Sequence, residues 1–251
     1  MLYLKNIFTD AGNVTLFTTR FFRELFRPPF EIKEFFKQCF YIGYKSLPLV
    51  GITGFIMGLV LTLQSRPTLA EFGAESWLPG MVGVSLIREI APVITALICA
   101  GKISSGIGAE LGSMKVTEQI DAMEVSAINP YKYLVVTRTL AATLMIPLLV
   151  IFSDTIGVFG GYVGINIKSD MTMYSYFSKV LNSLAFIDVI PATIKTFFFG
   201  FAIGMIGCYK GYTASNGTES VGKAANGAVV AASLSVFIID MLAVQVTDIF
   251  Y

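Results

Sequence analysis

The sequence predicts an all-α protein that crosses a membrane several times and folds as one compact domain. Of its 251 residues, 55% are hydrophobic and only 14% are charged, against about 45–50% and about 25% in soluble domains. The mean hydropathy is +0.71, and several stretches are long enough to cross a hydrocarbon core about 30 Å thick. This composition excludes a soluble globular protein, as well as disordered, collagen-like and coiled-coil chains.

Net charge and missing residue types restrict the function further. The 18 basic and 17 acidic residues leave a formal charge of +1, so nucleic acid is not expected as a partner. Histidine is absent, which removes the usual general base and the commonest metal ligand; neither catalytic residues nor a metal site are expected. Cys39, Cys99 and Cys208 lie in or beside apolar stretches and are expected to pack without a disulfide framework.

The N-terminal residues 1–38 are rich in Phe but too charged to cross a membrane. Pro28-Pro29 divides them into two parts. One helical side of the first part is apolar and carries Phe21, Phe22, Leu25 and Phe26. The pattern predicts amphipathic helices in the membrane interface over residues 1–38 and a transmembrane domain over residues 39–251. No apolar core followed by a cleavage site precedes them, so no cleaved signal peptide is expected.

Five segments are apolar over the roughly 20 helical residues that a bilayer core requires. They are Cys39–Gln64, Met81–Gly108, Leu134–Ile165, Val189–Cys208 and Ala225–Ile249.

Basic residues predict the orientation of these spans. One side would hold twelve of them: Lys5, Arg20, Arg23, Arg27, Lys33, Lys37, Lys102, Lys115, Lys132, Arg138, Lys210 and Lys223. The other side would hold three: Arg66, Lys168 and Lys179. Because cytoplasmic loops carry the excess of Lys and Arg, we expect a cytoplasmic N-terminus and, after five spans, a C-terminus on the opposite side.

Glycines recur four residues apart in or beside the spans. The pairs are Gly54 with Gly58, Gly108 with Gly112, Gly157 with Gly161, Gly160 with Gly164, Gly200 with Gly204, and Gly207 with Gly211. This spacing is typical of helices that approach closely in lipid, with a conformational hinge as the alternative.

Ionisable residues inside the predicted spans are the first candidates for a functional site. Six candidates among them are Lys45, Arg88, Glu89, Asp154, Lys195 and Asp240. A charge at the bilayer centre costs at least a few kcal/mol unless it is paired or hydrated, so these side chains are expected to face the protein interior or a polar cavity.

The neighbours Arg88 and Glu89 project about 100° apart on a helix and should find partners on other helices. Asp154, Lys195 and Asp240 are the candidate partners, and an Arg88 pair with Asp154 or Asp240 is the specific hypothesis. Lys45 lies near a membrane end, where it can snorkel. Ion pairs that fix helix packing and groups that line a transport cavity remain equally open interpretations.

A short helix is predicted over residues 116–124, in the polar connection between the second and third spans. Thr117 is the expected N-cap, Glu118 and Asp121 suit a helix start, and Val116, Ile120 and Met123 form an apolar stripe. Such a helix suits docking into a groove of a soluble partner; a solvated connecting helix is the alternative.

Four stretches of this region resemble the MlaE (YrbE-type) permeases of lipid-transporting ABC systems. They are Arg88-Glu89-Ile-Ala-Pro92-Val-Ile-Thr-Ala-Leu, Ala109-Glu110-Leu-Gly112-Ser-Met114-Lys115, Thr117-Glu118-Gln119-Ile120-Asp121-Ala122-Met123 and Asn129-Pro130. The resemblance extends from about Gly43 to Asp240, and Ser65-Arg66-Pro67 is a stretch that does not match.

The resemblance implies a homodimeric permease of the bacterial inner membrane, similar in fold to lipid exporters of the ABCG and ABCA kind. Partner ATPases in the cytoplasm would bind ATP and Mg²⁺ and dock on Thr117, Glu118, Gln119, Ile120, Asp121 and Met123. A periplasmic MCE-domain protein would cover the dimer, and a STAS-domain subunit would bind the ATPase. Phospholipid would occupy a cavity between the two subunits, near Leu59, Leu63, Gln64, Arg88, Glu89 and Ile90, where Arg88 or Arg66 could meet a phosphate.

In that mechanism, closure of the ATPases pushes the docking helices and reshapes the cavity, while this chain itself performs no covalent chemistry. One alternative is an ion-coupled secondary transporter that uses Asp154, Asp240 and Glu89 as relays. A membrane-embedded lipid enzyme fits less well, because the acidic residues are scattered and no histidine is present.

Overall fold

The computed structural model describes residues 2–215 and 217–249, with side chains from residue 12 onward. Within these ranges the protein is helical and contains no strand. Five helical stretches are long and apolar enough to cross a membrane, which confirms the five predicted spans. They are Ile32–Glu71, Glu75–Val116, Tyr131–Asn166, Phe186–Tyr212 and Thr218–Asp248. Each begins earlier than predicted, because polar turns at the membrane surface extend the helices without adding hydropathy.

Eleven α-helices build the described chain. They are α1 (Leu2–Leu25), α2 (Ile32–Ile42), α3 (Leu47–Glu71), α4 (Leu78–Ser85), α5 (Ala91–Cys99), α6 (Ser105–Val116), α7 (Gln119–Val125), α8 (Thr137–Asn166), α9 (Met173–Ser183), α10 (Phe186–Tyr212) and α11 (Thr218–Asp248). Three π-helical segments join some of them: Leu86–Ile90, Ala100–Ser104 and Tyr131–Val136. The second span therefore runs through α4, α5 and α6 with two π segments between them.

The N-terminal region has the predicted break at Pro28-Pro29, since α1 ends before it and α2 begins after it. The predicted boundary between residues 38 and 39 falls inside α2, which continues to Ile42. On α2 the polar Glu34 and Gln38 are buried and hydrogen-bonded to each other at 2.8 Å, whereas Phe36 and Phe40 are exposed. Aromatic rings on the outer face suit a helix at a membrane surface.

The chain folds into two compact units, each drawn from three segments. The first contains the residues through Ile42, Ala100–Thr143 and Phe201–Ser235. The second contains Gly43–Cys99, Leu144–Gly200 and the residues from Val236 onward.

Glycines bring helices into close contact in both units, as their spacing predicts. In the second unit, a Cβ on Gly58 would overlap the carbonyl oxygen of Gly157, and one on Gly160 would overlap that of Phe55, so α3 and α8 approach at backbone distance. In the first unit, a Cβ on Gly207 would lie 3.0 Å from the Ser104 carbonyl oxygen. Small residues therefore serve helix packing.

The core of the second unit packs α9 against α4. Tyr176 and Val180 of α9 are buried with Leu78 and Val82 of α4. Burial raises the pKa of Tyr176, outside the spans, to about 12. The phenol therefore stays neutral across the physiological range.

Tyr131 is fully buried in the first unit. Its hydroxyl donates to the carbonyl oxygen of Phe17 at 2.5 Å, and the Arg20 guanidinium lies 4.5 Å from its ring centre. These contacts attach α1 to the beginning of the third span. The three cysteines are free and buried, which confirms the predicted packing role.

Candidate functional site

A buried lysine joins three spans in the second unit. The Lys195 side chain on α10 is 5% exposed, and its Nζ donates to Glu89 Oε2 at 2.6 Å and to Asp240 Oδ1 at 2.9 Å. Glu89 belongs to the π segment of the second span, and Asp240 belongs to α11. We call these three residues the Lys195 cluster. Two carboxylates satisfy a cation that would otherwise be costly at membrane depth.

Arg88 is directed to other partners than its neighbour Glu89. Its Nη1 lies 3.7 Å from Asp188 Oδ1, and its Nη2 lies 3.7 Å from Asp248 Oδ1. The prediction that Arg88 and Glu89 find partners on other helices is confirmed. The specific pair of Arg88 with Asp154 or Asp240 is wrong, because Asp240 binds Lys195 and Arg88 reaches Asp188 and Asp248 instead.

The π-helical turn at Leu86–Ile90 carries both charged residues. An inserted residue of this kind widens the helix and changes the directions of neighbouring side chains, and π turns occur frequently at functional sites. Hydropathy does not reveal such a turn, so the sequence did not predict it.

An apolar groove of about 720 Å³ lies beside the Lys195 cluster, between α10 and α11. Its walls include Phe186, Ile190, Ile194, Phe198, Leu242 and Val246, while Lys195 and Thr247 contribute polar atoms. An apolar groove with few polar groups suits hydrocarbon chains.

Asp154 lies apart from these ion pairs, on α8. It lines a second pocket of about 300 Å³. Its Oδ1 is buried and has no hydrogen-bond partner among the described residues. The structure therefore does not join Asp154 with Glu89 and Asp240 in one chain of ion pairs.

The other residues predicted near the lipid cavity lie on α3 and on the π segment. Leu59 and Leu63 are half-buried on α3, Gln64 is exposed, and Ile90 ends the π segment. Their place in a cavity between two subunits stays a prediction.

Arg66, proposed as a phosphate contact, already has partners within the chain. Its guanidinium donates to the carbonyl oxygens of Ile165 and Lys168 at 3.3 and 3.2 Å and lies 3.7 Å from Glu75. These contacts attach α3 to the end of α8.

The short helix between the second and third spans is α7, which covers Gln119–Val125. The predicted start at Val116 and the N-cap role of Thr117 are wrong. Thr117 ends α6, and its hydroxyl donates to the Ser113 carbonyl oxygen at 2.8 Å. Glu118 takes the N-cap position instead, with a left-handed backbone (φ 58°) and no side-chain capping bond.

The surface of α7 combines charge with exposed apolar groups. Lys115 Nζ binds Asp121 Oδ1 at 2.9 Å, which holds α7 against α6. Ile120 is buried, Met123 is half-buried, and Val125 is 90% exposed. The predicted apolar stripe of Val116, Ile120 and Met123 is therefore buried or half-buried, and the exposed apolar group is Val125, which the prediction did not include.

Asp188 and Asp248 are the site residues that sequence reasoning missed. Asp188 is buried near the start of α10, and Asp248 is the last residue of α11. The signal that could have found them is their position at span ends opposite an intramembrane arginine.

A family model for the MlaE permease matches residues 35–246. The chain belongs to the MlaE permease family. The matched range covers nearly all of the five spans, the Lys195 cluster and α7, whereas α1 lies entirely outside it.

Relatives of this MlaE-family chain cover most of its length. A protein of Rickettsia felis named "Probable ABC transporter permease protein" is 39% identical over 96% of this chain and 92% of its own length. The "Intermembrane phospholipid transport system permease protein MlaE" of Haemophilus influenzae is 36% identical over 82% of this chain and 79% of its own length. A Synechocystis protein named a probable ABC transporter permease is 36% identical over 78% and 75%. The chain is therefore a multi-pass membrane permease.

Proposed function

We propose that this chain is the permease subunit of an ATP-driven ABC transporter that moves phospholipids between the bacterial inner membrane and a periplasmic MCE-domain protein. The observation that carries the substrate class is the apolar groove of about 720 Å³ beside the Lys195 cluster. Hydrocarbon walls suit acyl chains, and the name of the Haemophilus influenzae relative supports phospholipid as the substrate.

The α7 surface supports a cytoplasmic ATPase as the partner. Val125 at the end of α7 and Ile128, three residues beyond it, are exposed beside acidic side chains. Such a face fits a groove in a soluble subunit, which would bind ATP and Mg²⁺ itself. The docking residues of the proposal are Thr117, Glu118, Gln119, Ile120, Asp121 and Met123.

Two copies of the chain would enclose the phospholipid path. Its proposed lining near the first and second spans is Leu59, Leu63, Gln64, Arg88, Glu89 and Ile90. Closure of the ATPases would move α7 and reshape this path. A STAS-domain subunit on the ATPase completes the proposed complex, with α1 and α2 in the membrane interface and the N-terminus in the cytoplasm.

An ion-coupled secondary transporter is less well supported. Its relay would need Asp154, Asp240 and Glu89 to exchange protons, but Glu89 and Asp240 both hold Lys195. Asp154 lines a separate pocket, so the three acids do not form a continuous relay.

The test compares two substitutions, each of which places a carboxylate at an exposed position, in the full chain expressed in its native membrane. Val125→Glu alters the α7 surface, and Tyr174→Glu on α9 is the matched control at a similarly exposed position. We expect wild type and Tyr174→Glu to copurify with an ATPase, and Val125→Glu to lose it. An ATPase retained by Val125→Glu would contradict the docking surface.

Transport is measured with the purified complex in proteoliposomes that contain labelled phospholipid. The proposal expects transfer to an MCE-domain acceptor only with hydrolysable ATP. Transfer driven by a proton gradient without ATP would support the ion-coupled alternative instead.

A further inference from the structure

The pocket around Asp154 lies within the second unit and has a volume of about 300 Å³. We call it the Asp154 pocket. Residues from the second span, α8, α9 and α10 line it, among them Pro92, Val150, Phe177, Val180 and Val189. It has the volume of a small-molecule site and walls that are almost entirely apolar.

The polar groups of this pocket leave one acceptor without a donor. Asp154 Oδ1 is buried and has no partner in the part of the chain that the structure describes. Two threonines also line the pocket, but Thr155 Oγ1 donates to the Ile151 carbonyl oxygen and Thr193 Oγ1 donates to that of Val189, both at 2.9 Å. Their hydroxyl protons are therefore not available to Asp154.

The ionisable groups that line the pocket are also unbalanced in charge. Asp154 is the only ionisable residue among the side chains that line it, and none of them is basic. A carboxylate in apolar surroundings is costly unless a donor or a cation accompanies it. The pocket is therefore complementary to a ligand that brings one cationic donor.

The depth of Asp154 restricts that ligand further. Asp154 precedes Asn166, the last residue of α8, by 12 residues, or about 18 Å at 1.5 Å per residue. A phospholipid amine at this depth would bring its phosphate into a pocket without a basic residue. A ligand with an amine on a compact hydrocarbon body meets no such conflict.

We propose that the Asp154 pocket binds compact apolar amines dissolved in the hydrocarbon core, whose ammonium group donates to Asp154 Oδ1. The hydrocarbon body fills the apolar walls, and a charge-assisted hydrogen bond forms where water does not compete. This binding is separate from phospholipid transport and requires no ATPase.

The experiment uses three probes of one shape on the full chain purified in detergent: adamantylamine, adamantanol and methyladamantane. Equilibrium dialysis with labelled probes measures affinity, and thermal unfolding provides a second readout. Adamantylamine is expected to bind about tenfold more tightly than the other two probes, because only its ammonium group can form a charge-assisted hydrogen bond with Asp154. It should also raise the Tm.

Two asparagine variants identify the site. Asp154→Asn should weaken adamantylamine about tenfold while leaving methyladamantane unchanged. Asp170→Asn removes an exposed carboxylate outside the pocket and should change neither.

Several results would overturn the proposal. Equal affinity for all three probes would show an apolar cavity only, and equal affinity for the amine and the alcohol would show that charge is irrelevant. No binding by any probe would indicate that acyl chains or a helix of a partner protein fill the pocket. If Asp154→Asn does not fold, the probe series on the unmodified chain still decides.

Discussion

Lys195 is a cation held inside a membrane-spanning helix by two carboxylates. Its side chain is 5% exposed, whereas those of Glu89 and Asp240 are 38% and 19% exposed. Solvent therefore stabilises the charge of Lys195 less than the charges of the two acids, and the lysine needs them as partners. Removing one side of such a cluster leaves uncompensated charge, which costs more than the cluster itself contributes to stability.

Lys195→Met is therefore expected to lower the free energy of unfolding by about 3 kcal/mol, the lower end of the range for broken buried pairs, because Glu89 is partly exposed. Unfolding of the purified chain in mixed micelles measures the change. Lys223→Met is the matched control, since Lys223 pairs with Glu219 on an exposed surface and should cost less than about 1 kcal/mol. Equal losses in the two variants would contradict a structural role for the buried cluster.

Arg88 shows how much of the environment of a single residue the sequence predicts. That intramembrane charges need partners follows from solvation alone, and the structure provides partners for Arg88 and Glu89. Which residues pair depends on the π turn at Leu86–Ile90 and on the mutual positions of three helices. Neither is encoded in hydropathy or spacing, so the proposed pair of Arg88 with Asp154 or Asp240 was wrong.

Helix contacts in the second unit depend on glycine at particular positions. A Cβ on Gly58 would overlap the backbone of Gly157, whereas a Cβ on Gly106 would meet nothing within 4 Å. The two glycines both lie inside helices, so they share the same gain in helix propensity on substitution by alanine.

Gly58→Ala is expected to destabilise the protein by about 1–3 kcal/mol, because α3 and α8 must separate. Gly106→Ala, the control, should stabilise it by up to about 1 kcal/mol through helix propensity. Thermal unfolding of the two variants gives the sign directly. A neutral Gly58→Ala would mean that the close approach of α3 to α8 is dispensable.

The start of α7 is set by Glu118 rather than by Thr117. A threonine before an acidic turn is a common N-cap, but its hydroxyl also bonds well to a carbonyl one turn earlier. Here the Thr117 hydroxyl donates to the Ser113 carbonyl oxygen, so α6 continues to Val116. Glu118, with a left-handed backbone, takes the N-cap position of the next helix. Local competition of this kind is why the existence of the helix was predicted correctly and its first residue was not.

Two uncharged substitutions at Glu118 test whether its backbone conformation controls the start of α7. Glycine adopts a positive φ without steric cost, whereas a β-branched residue does not. Glu118→Gly should therefore leave α7 formed, and Glu118→Val should lower the free energy of opening α7 by about 1–2 kcal/mol. Hydrogen exchange of the α7 amides measures this difference. Protection that is equal in both variants would show that the left-handed turn does not control the helix.

At the scale of the whole molecule, the five spans follow from hydropathy because each backbone polar group in lipid must be satisfied within a helix. Composition therefore predicts the number of spans, and the structure confirms it. The division of the spans between two compact units could not be predicted, since it depends on contacts between segments far apart in the chain.

The orientation of the chain follows from charge and is tested with single cysteines. Twelve basic residues on one side against three on the other predict that Ser126 lies in the cytoplasm and Asp170 in the periplasm. Both residues are exposed, and the native cysteines are buried, so background labelling is low. In intact spheroplasts, an impermeant maleimide should label Asp170→Cys at once and Ser126→Cys only after lysis. The reverse pattern would place α7 in the periplasm, out of reach of any cytoplasmic ATPase, and would contradict the proposed mechanism together with the orientation.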